Sequence, residues 1–236
     1  MVRASVALAA ACLLSPLSAR AQTEPGRLVL IGGTDFPMHL GGGLSVGLGR
    51  GFRATSVVGA AIPPYLDLIQ SVIDGAAGLP PSQSEALREA IRSAIVWRTH
   101  VVWRAWRSLE VAAGYGLLVV SGDVSTRLAL QLAGIDASIP VVPPPPPTVV
   151  RAWIHQADVE AAWRWRLTDS LALRTGLGLG VTFYNDTTVA ARYGAGGESE
   201  QSRAVRVASE ERVTEALARW RVLPWVHVAL ELNLSR

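Results

Sequence analysis

Hydrophobic and polar residues alternate one by one along several stretches of the chain, which is the periodicity of a β-strand with two different faces. The clearest example is residues 150–167, where Trp153, Val159 and Trp163 share one face and Asp158 lies on the other. The same alternation recurs elsewhere and predicts further strands at residues 40–49, 52–62, 95–106, 109–120, 171–184 and 225–235.

The connections between these predicted strands alternate between short and long. Tight turns are expected at residues 49–51, 107–108 and 168–170, and long segments at 63–94, 121–149 and 185–222. Outer-membrane β-barrels have short turns at one rim and longer loops at the other. Both chain ends must then lie at the short-turn rim, which requires an even number of strands and makes residues 27–33 the first strand. The pattern predicts an all-β fold, a transmembrane antiparallel up-and-down β-barrel of eight strands.

The long loops carry helical patterns of their own. A helical hairpin is predicted within 64–94, where Ser82-Gln83-Ser84-Glu85 has the form of a capping box. Another helix is predicted from about Ser209 to Arg221, and the proline run 143–147 predicts a stiff rod in the loop 121–149.

The N-terminal residues have the pattern of an export signal. A positive residue, Arg3, precedes a short apolar stretch, and Ala19-Arg20-Ala21 fits a cleavage site. We therefore predict a signal peptide at 1–21 and one barrel domain at 22–236. Removing Arg3 and Arg20 leaves 20 of the 22 basic residues against 19 acidic ones, without a basic block, so no nucleic-acid partner is expected.

The spacing of tryptophans indicates which face of each strand meets lipid. Trp153 and Trp163 are separated by about 33 Å along an extended strand, or about 25 Å across the membrane at a tilt of about 40°. The apolar band of an outer-membrane barrel has that height and is bounded by aromatic residues. The aromatic residues predicted at the membrane interfaces are Trp97, Trp103, Trp153, Trp163 and Trp165. The alternative, a soluble β-sandwich with buried tryptophans, would leave the glycine-rich strand faces in water.

The opposite faces of the strands carry the charges, which places them in the lumen. The expected lumen residues are Arg53, Arg98, His100, Arg104, Glu110, Gln156, Asp158, Glu160, Arg164, Arg166, Arg174, His227, Glu231 and Asn233. Side chains just fill the interior of an eight-stranded barrel. A buried arginine needs a carboxylate or carbonyl partner, so these residues predict a cross-strand ion-pair network that closes the lumen.

In these features the chain resembles the small eight-stranded outer-membrane β-barrels of Gram-negative bacteria. The resemblance covers most of 22–236 and rests on strand period, turn lengths and the signal peptide rather than on a family motif. It implies export to the outer membrane, contact with outer-membrane lipid and folding by the barrel-assembly machinery. One departure is the C-terminus, which reads Leu232-Asn233-Leu234-Ser235-Arg236 where such proteins usually end in an aromatic residue.

Three classes of function fit this architecture. The first is a structural or interaction-mediating barrel. The alternatives are a lipid- or lipopolysaccharide-modifying enzyme, and a porin-like pore or carrier for small ligands. An enzyme would use a histidine beside a serine or carboxylate, and the candidates are His39, His100, His155 and His227. The sequence has no nucleotide, haem or zinc motif, so no cofactor or metal is expected, and it leaves the oligomeric state open.

Overall fold

The computed structural model describes residues 25–65, 67, 93–124, 148–191, 199–200, 203–204, 206–208, 210–211, 214 and 221–234. The chain forms a closed antiparallel barrel in which every strand pairs with its neighbours in sequence and the last strand pairs with the first. The eight strands are β1 (Leu28–Phe36), β2 (His39–Gly49), β3 (Phe52–Ala60), β4 (Ser93–Trp106), β5 (Leu109–Val124), β6 (Thr148–Arg166), β7 (Leu171–Ala191) and β8 (Val222–Asn233). This confirms the predicted fold.

The two rims of the barrel differ as the sequence predicts. The short-turn rim contains both ends of the barrel and the turns that join β2 to β3, β4 to β5 and β6 to β7. The opposite rim, the long-loop rim, contains the three long connections and one tight turn, Pro37-Met38, between β1 and β2. The Met38 amide donates to the Asp35 carbonyl across this turn (2.5 Å).

Several strands extend past their predicted ends, and β4 to β7 also continue past the level at which β1, β2, β3 and β8 end. β1 reaches Phe36 rather than residue 33, and β7 continues to Ala191, well into the segment 185–222 that we expected to be loop. At their far ends β6 and β7 still pair in register, Thr148 with Ala191. The predicted signal peptide, the proline rod and most of the helical hairpin lie outside the described residues.

The connection between β7 and β8 contains a helix that begins earlier than expected. The described residues from Glu200 to Thr214 are helical, so the predicted start at Ser209 is wrong. Ala204, Val207 and Ala208 have the i, i+3, i+4 spacing of a helix in these early turns, a signal that the prediction did not use. Their local support is a backbone hydrogen bond from Arg203 to Ser199 (2.9 Å) and an ion pair between Arg206 and Glu210 (3.2 Å).

This helix lies against the free edge of β7. Pairing between β7 and β8 ends at Val181, and beyond that residue this edge of β7 has no partner strand among the described residues. Glu210 accepts a hydrogen bond from the Val189 amide (3.0 Å), and the Asn185 side chain donates to the Thr214 carbonyl (3.4 Å). The loop therefore protects an edge that would otherwise be open. No helix in the described part of the chain is long and apolar enough to cross a membrane.

The polarity of the two barrel faces reverses along its axis. Near the short-turn rim the outward side chains are apolar and the inward ones charged. In the long-loop ends of β4 to β7, here called the upper wall, the buried inward residues are Ala94, Val96, Val150, Ala152, Ile154 and Val189. The exposed outward residues there include Ser93, Arg151, Asp186 and Thr188. The upper wall is therefore built like a water-exposed sheet with an apolar inner face.

In β7 this reversal coincides with a β-bulge. The register with β6 shifts between His155 and Gln156, and Phe183 and Tyr184 both point outward. The extra residue moves every later side chain of β7 to the opposite face. As a result Asp186 is exposed whereas Val189 is buried.

Candidate functional site

The lumen is the candidate site because it collects the buried charged side chains of the described residues. Its buried or partly buried arginines are Arg53, Arg98, Arg104, Arg164 and Arg174. Its buried carboxylates are Asp35, Glu110, Asp158, Glu160 and Glu231. Five cations thus meet five anions. Three buried histidines, His39, His100 and His227, lie among them.

Ion pairs on the short-turn side form a chain across the lumen, here called the lower cluster. Arg53 bridges two strands, donating from Nη2 to Glu110 (2.6 Å) and lying 2.7 Å from Glu231 through Nη1. Arg164 donates from Nε to Glu231 (2.5 Å). Arg174 donates to Glu110 from the other side (3.1 Å). Strands β3, β5, β6, β7 and β8 are therefore joined through the barrel interior.

Two more residues extend the lower cluster at its edges. Glu160 lies 3.1 Å from Nη1 of Arg174, so this arginine forms ion pairs with both Glu110 and Glu160. Arg104 faces Glu110 directly in the register of β4 with β5. In this cluster Arg53, Arg174, Glu110 and Glu231 each have two oppositely charged partners, which offsets part of the cost of burying their charges.

A second group of ion pairs, the upper cluster, lies closer to the long-loop rim. Arg98 is at its centre, with Nη1 donating to Asp35 (2.6 Å) and Nε 3.4 Å from Asp158. His100, on the same face of β4, has Nε2 3.3 Å from the same Asp158 carboxylate. Two carboxylates from strands on opposite sides of the barrel are therefore held by one guanidinium.

Strands β1, β2 and β8 supply the remaining side of the upper cluster. Nδ1 of His227 lies 2.5 Å from one oxygen of Asp35, and Nδ1 of His39 lies 3.6 Å from the other. Asp35 therefore has three basic neighbours, with Arg98 as the third.

The indole of Trp225 covers the upper cluster from within the lumen. The guanidinium carbon of Arg98 lies 3.7 Å from the centre of its ring, a cation–π contact in a buried site. Glycines make room for the ring: a Cβ atom at Gly178 would lie 2.2 Å from Cε2 of Trp225, and one at Gly180 would lie 2.9 Å from Asp158. These inward glycines are needed because the lumen is filled.

We expect Gly178→Ala to destabilise the barrel by about 1–3 kcal/mol, because the new methyl group must displace the Trp225 ring. Urea unfolding of the barrel in lipid vesicles would measure this change. The control is Gly32→Ala, since a Cβ there meets nothing within 4 Å. Equal midpoints for the two variants would contradict the packed lumen.

The structure brings together nearly all the side chains that the sequence placed in the lumen. Gln156 is also buried there, and Asn233 lies at the mouth. Arg166 is the exception and that expectation is wrong: β6 ends at this residue, and its side chain is 54% exposed. Arg166 instead donates to Asp169 in the adjacent turn.

Sequence reasoning missed three members of the upper cluster. Asp35 fell beyond the predicted end of β1, and His39 fell before the predicted start of β2. Trp225 is the first residue of the predicted strand 225–235 and was assigned to neither face. Its position two residues before His227 on one strand face was the available signal.

The aromatic residues predicted at the interfaces all point outward and are exposed. Trp103 stacks on Phe52 near the short-turn rim, with ring centres 6.3 Å apart. Trp97 lies further along β4 and donates from Nε1 to the outward Ser56 hydroxyl (3.0 Å). These outward polar groups are paired with each other, as an apolar surrounding requires.

His155 belongs to this outer surface and not to the lumen. Its Nδ1 lies 2.6 Å from the Tyr115 hydroxyl, and its ring packs near Phe183 and Tyr184. The described residues contain no group of three or more histidine, cysteine or acidic side chains arranged to hold a metal ion.

Comparison with solved structures finds chains that are similar over most of their length. CarO2 of Acinetobacter baumannii has 8% identity and a TM-score of 0.41, over 89% of this chain and 99% of that one. CarO of the same species has 10% identity and a TM-score of 0.38, over 91% and 100%. A major outer membrane protein from Thermus thermophilus has 11% identity and a TM-score of 0.46, over 88% and 98%.

No protein-family model matches the chain, and no curated protein matches it. All three TM-scores are below 0.5, so the assignment of the fold rests on the strand register and the closure of the barrel described above.

Proposed function

We propose that this chain is an outer-membrane β-barrel with a closed lumen, and that its role is structural or interaction-mediating. The observation that carries this proposal is the pairing of four buried or partly buried arginines with five buried carboxylates across the interior. Such a network joins the walls of the barrel and fills its centre. The long-loop rim, with its upper wall and helix, is then the surface available to partners.

The outer surface supports a lipid environment for the lower part of the barrel. Leucine and valine side chains such as Leu44, Val159, Leu177 and Leu230 are exposed, whereas the charges point inward. In water this arrangement would be inverted. Export by the signal peptide at 1–21 and folding by the barrel-assembly machinery complete the proposal.

An enzyme that modifies lipids is less well supported by the same side chains. A hydrolytic site would place a hydroxyl nucleophile beside a histidine. Of the three lumen histidines, His100 contacts Asp158, and both His39 and His227 contact Asp35. His155 contacts the Tyr115 hydroxyl, which is a phenol held in an aromatic group on the outer surface.

We expect the purified barrel to show no steady conductance in planar bilayers, because the two ion-pair clusters and the Trp225 ring fill the lumen. Arg53→Ala should raise the frequency of brief openings, since this arginine joins Glu110 to Glu231. Arg166→Ala is the matched control, because Arg166 is an exposed arginine outside the network. Steady wild-type conductance at modest voltage would refute the closed lumen and favour a pore.

A further inference from the structure

Arginines are concentrated in the turns of the short-turn rim. Arg50 and Arg107 are exposed, and each occupies a left-handed backbone position, with φ of 53° and 43°. Arg166 is exposed in the next turn. Among the described residues of this rim the acidic side chain is Asp169, which is already paired with Arg166. The rim therefore has a net positive charge.

The three turns are spread evenly around the rim. Each one contacts the strand that follows its own hairpin, through backbone bonds from Arg104 to Gly51 (2.9 Å), Arg164 to Ser108 (2.8 Å) and Asn233 to Ser170 (2.8 Å). Neighbouring turns are thus two strands apart, or about 10 Å. The positive charge forms an arc along the membrane edge.

Aromatic side chains alternate with these arginines at the same level. Trp106 is 52% exposed on the outer surface, and the guanidinium carbon of Arg107 lies 5.0 Å from its ring centre. Phe52, next to the turn that carries Arg50, stacks on Trp103. Tryptophan rings at the edge of a membrane protein lie at the level of the lipid headgroups. Arg50 and Arg107 are therefore within reach of phosphates.

Among the described residues, the opposite end of the barrel shows no such excess of positive charge. Around the upper wall and its helix, the exposed side chains include Asp186, Glu200 and Glu211 as well as Arg151 and Arg203. The described residues at the two ends of the barrel therefore differ in net charge, so each leaflet would meet a surface of different charge.

We propose that the short-turn rim binds the phosphate headgroups of anionic phospholipids in the leaflet that it faces, through Arg50 and Arg107. This inference rests on the proposed membrane location. A soluble anionic polymer is the other source of such charge, but the interleaved outward tryptophans favour a lipid surface. Each arginine near an anionic surface strengthens binding about fivefold, and the effect weakens with salt.

Tryptophan fluorescence quenching by brominated lipids tests the proposal. The barrel is refolded into phosphatidylcholine vesicles that contain either brominated phosphatidylglycerol or brominated phosphatidylcholine, and the ratio of the two apparent binding constants is measured. The test variant is R50N/R107N, because asparagine tolerates positive φ. The control R151Q/R203Q removes two exposed arginines from the other end of the barrel.

We expect the wild type and R151Q/R203Q to prefer the anionic lipid by more than about tenfold at low salt, and R50N/R107N to show a ratio near one. An unchanged ratio in R50N/R107N would overturn the proposal. So would cosedimentation of the wild type, but not of R50N/R107N, with purified cell-wall sacculi in the absence of any lipid preference. Absence of quenching by either lipid would instead refute the membrane location itself.

Discussion

Replacing Arg98 with methionine is expected to lower the free energy of unfolding by about 3–5 kcal/mol. Arg98 is 1% exposed and is the arginine that binds both Asp35 and Asp158. Methionine preserves much of the volume above the Trp225 ring but leaves two buried carboxylates without their shared cation. Reversible urea unfolding in vesicles, followed by tryptophan fluorescence, gives the change in free energy.

Arg166→Met is the matched control for this experiment, because it removes an arginine from the same barrel at an exposed position. Its expected effect is within about 0.5 kcal/mol. If Arg98→Met were as stable as Arg166→Met, the two carboxylates would have to be solvated, and the lumen could not be closed at the upper cluster.

Val159→Arg is expected to reduce folding into bilayers by about 2–4 kcal/mol, the cost of an arginine at the centre of the lipid-facing surface. Val159 is 52% exposed, points outward, and lies between Ala113 and Leu179 in neighbouring strands. The fraction that folds can be read from the difference in gel mobility between unheated and boiled samples.

Thr188→Arg provides the comparison, since Thr188 is also outward and exposed but belongs to the polar surface of the upper wall. It should fold as well as the wild type. Equal losses for Val159→Arg and Thr188→Arg would show that the two positions face the same medium, which would contradict the assigned membrane boundary.

Strand alternation was readable in the sequence wherever the two faces of a strand meet very different media. In β4 and β6, charged residues such as Arg98 and Asp158 alternate with outward tryptophans, and both strands were predicted close to their observed positions. β1 carries little such contrast because inward Val29 and Ile31 alternate with outward Leu30. The end of β1 at Phe36 could therefore not be predicted from the alternation.

The charge balance of the lumen illustrates the same limit. The sequence predicted six arginines against four carboxylates in the lumen. In the structure Arg166, at the end of β6, is exposed and does not belong to the lumen. Asp35, near the end of β1 that was not predicted, is a lumen residue. Both errors concern strand ends, where a residue's face depends on how far pairing continues rather than on the local pattern.

The far end of β7, from residue 185 onward, was predicted as loop for a related reason. Where a strand passes from lipid into water, its outward side chains change from apolar to polar. The alternation that marks its lipid-facing part therefore does not continue into the water-exposed part. In β7 the exchange occurs within two residues, Phe183 and Tyr184, and the segment after them reads as polar and small. The tertiary contact of Val189 with Glu210 that orders this segment has no local signature.

The bulge at Phe183 and Tyr184 also fixes the thickness of bilayer that the protein can occupy. A thicker hydrocarbon layer would draw Asp186 and Arg151 among the acyl chains, whereas a thinner one would leave outward leucines in water. Under the proposed binding of Arg50 and Arg107 to lipid headgroups, the barrel cannot relieve either mismatch by sliding. Lipids around it must therefore stretch or compress toward about 25 Å, at a cost of a fraction of a kcal/mol per Å, and bilayers with short acyl chains should receive it most readily.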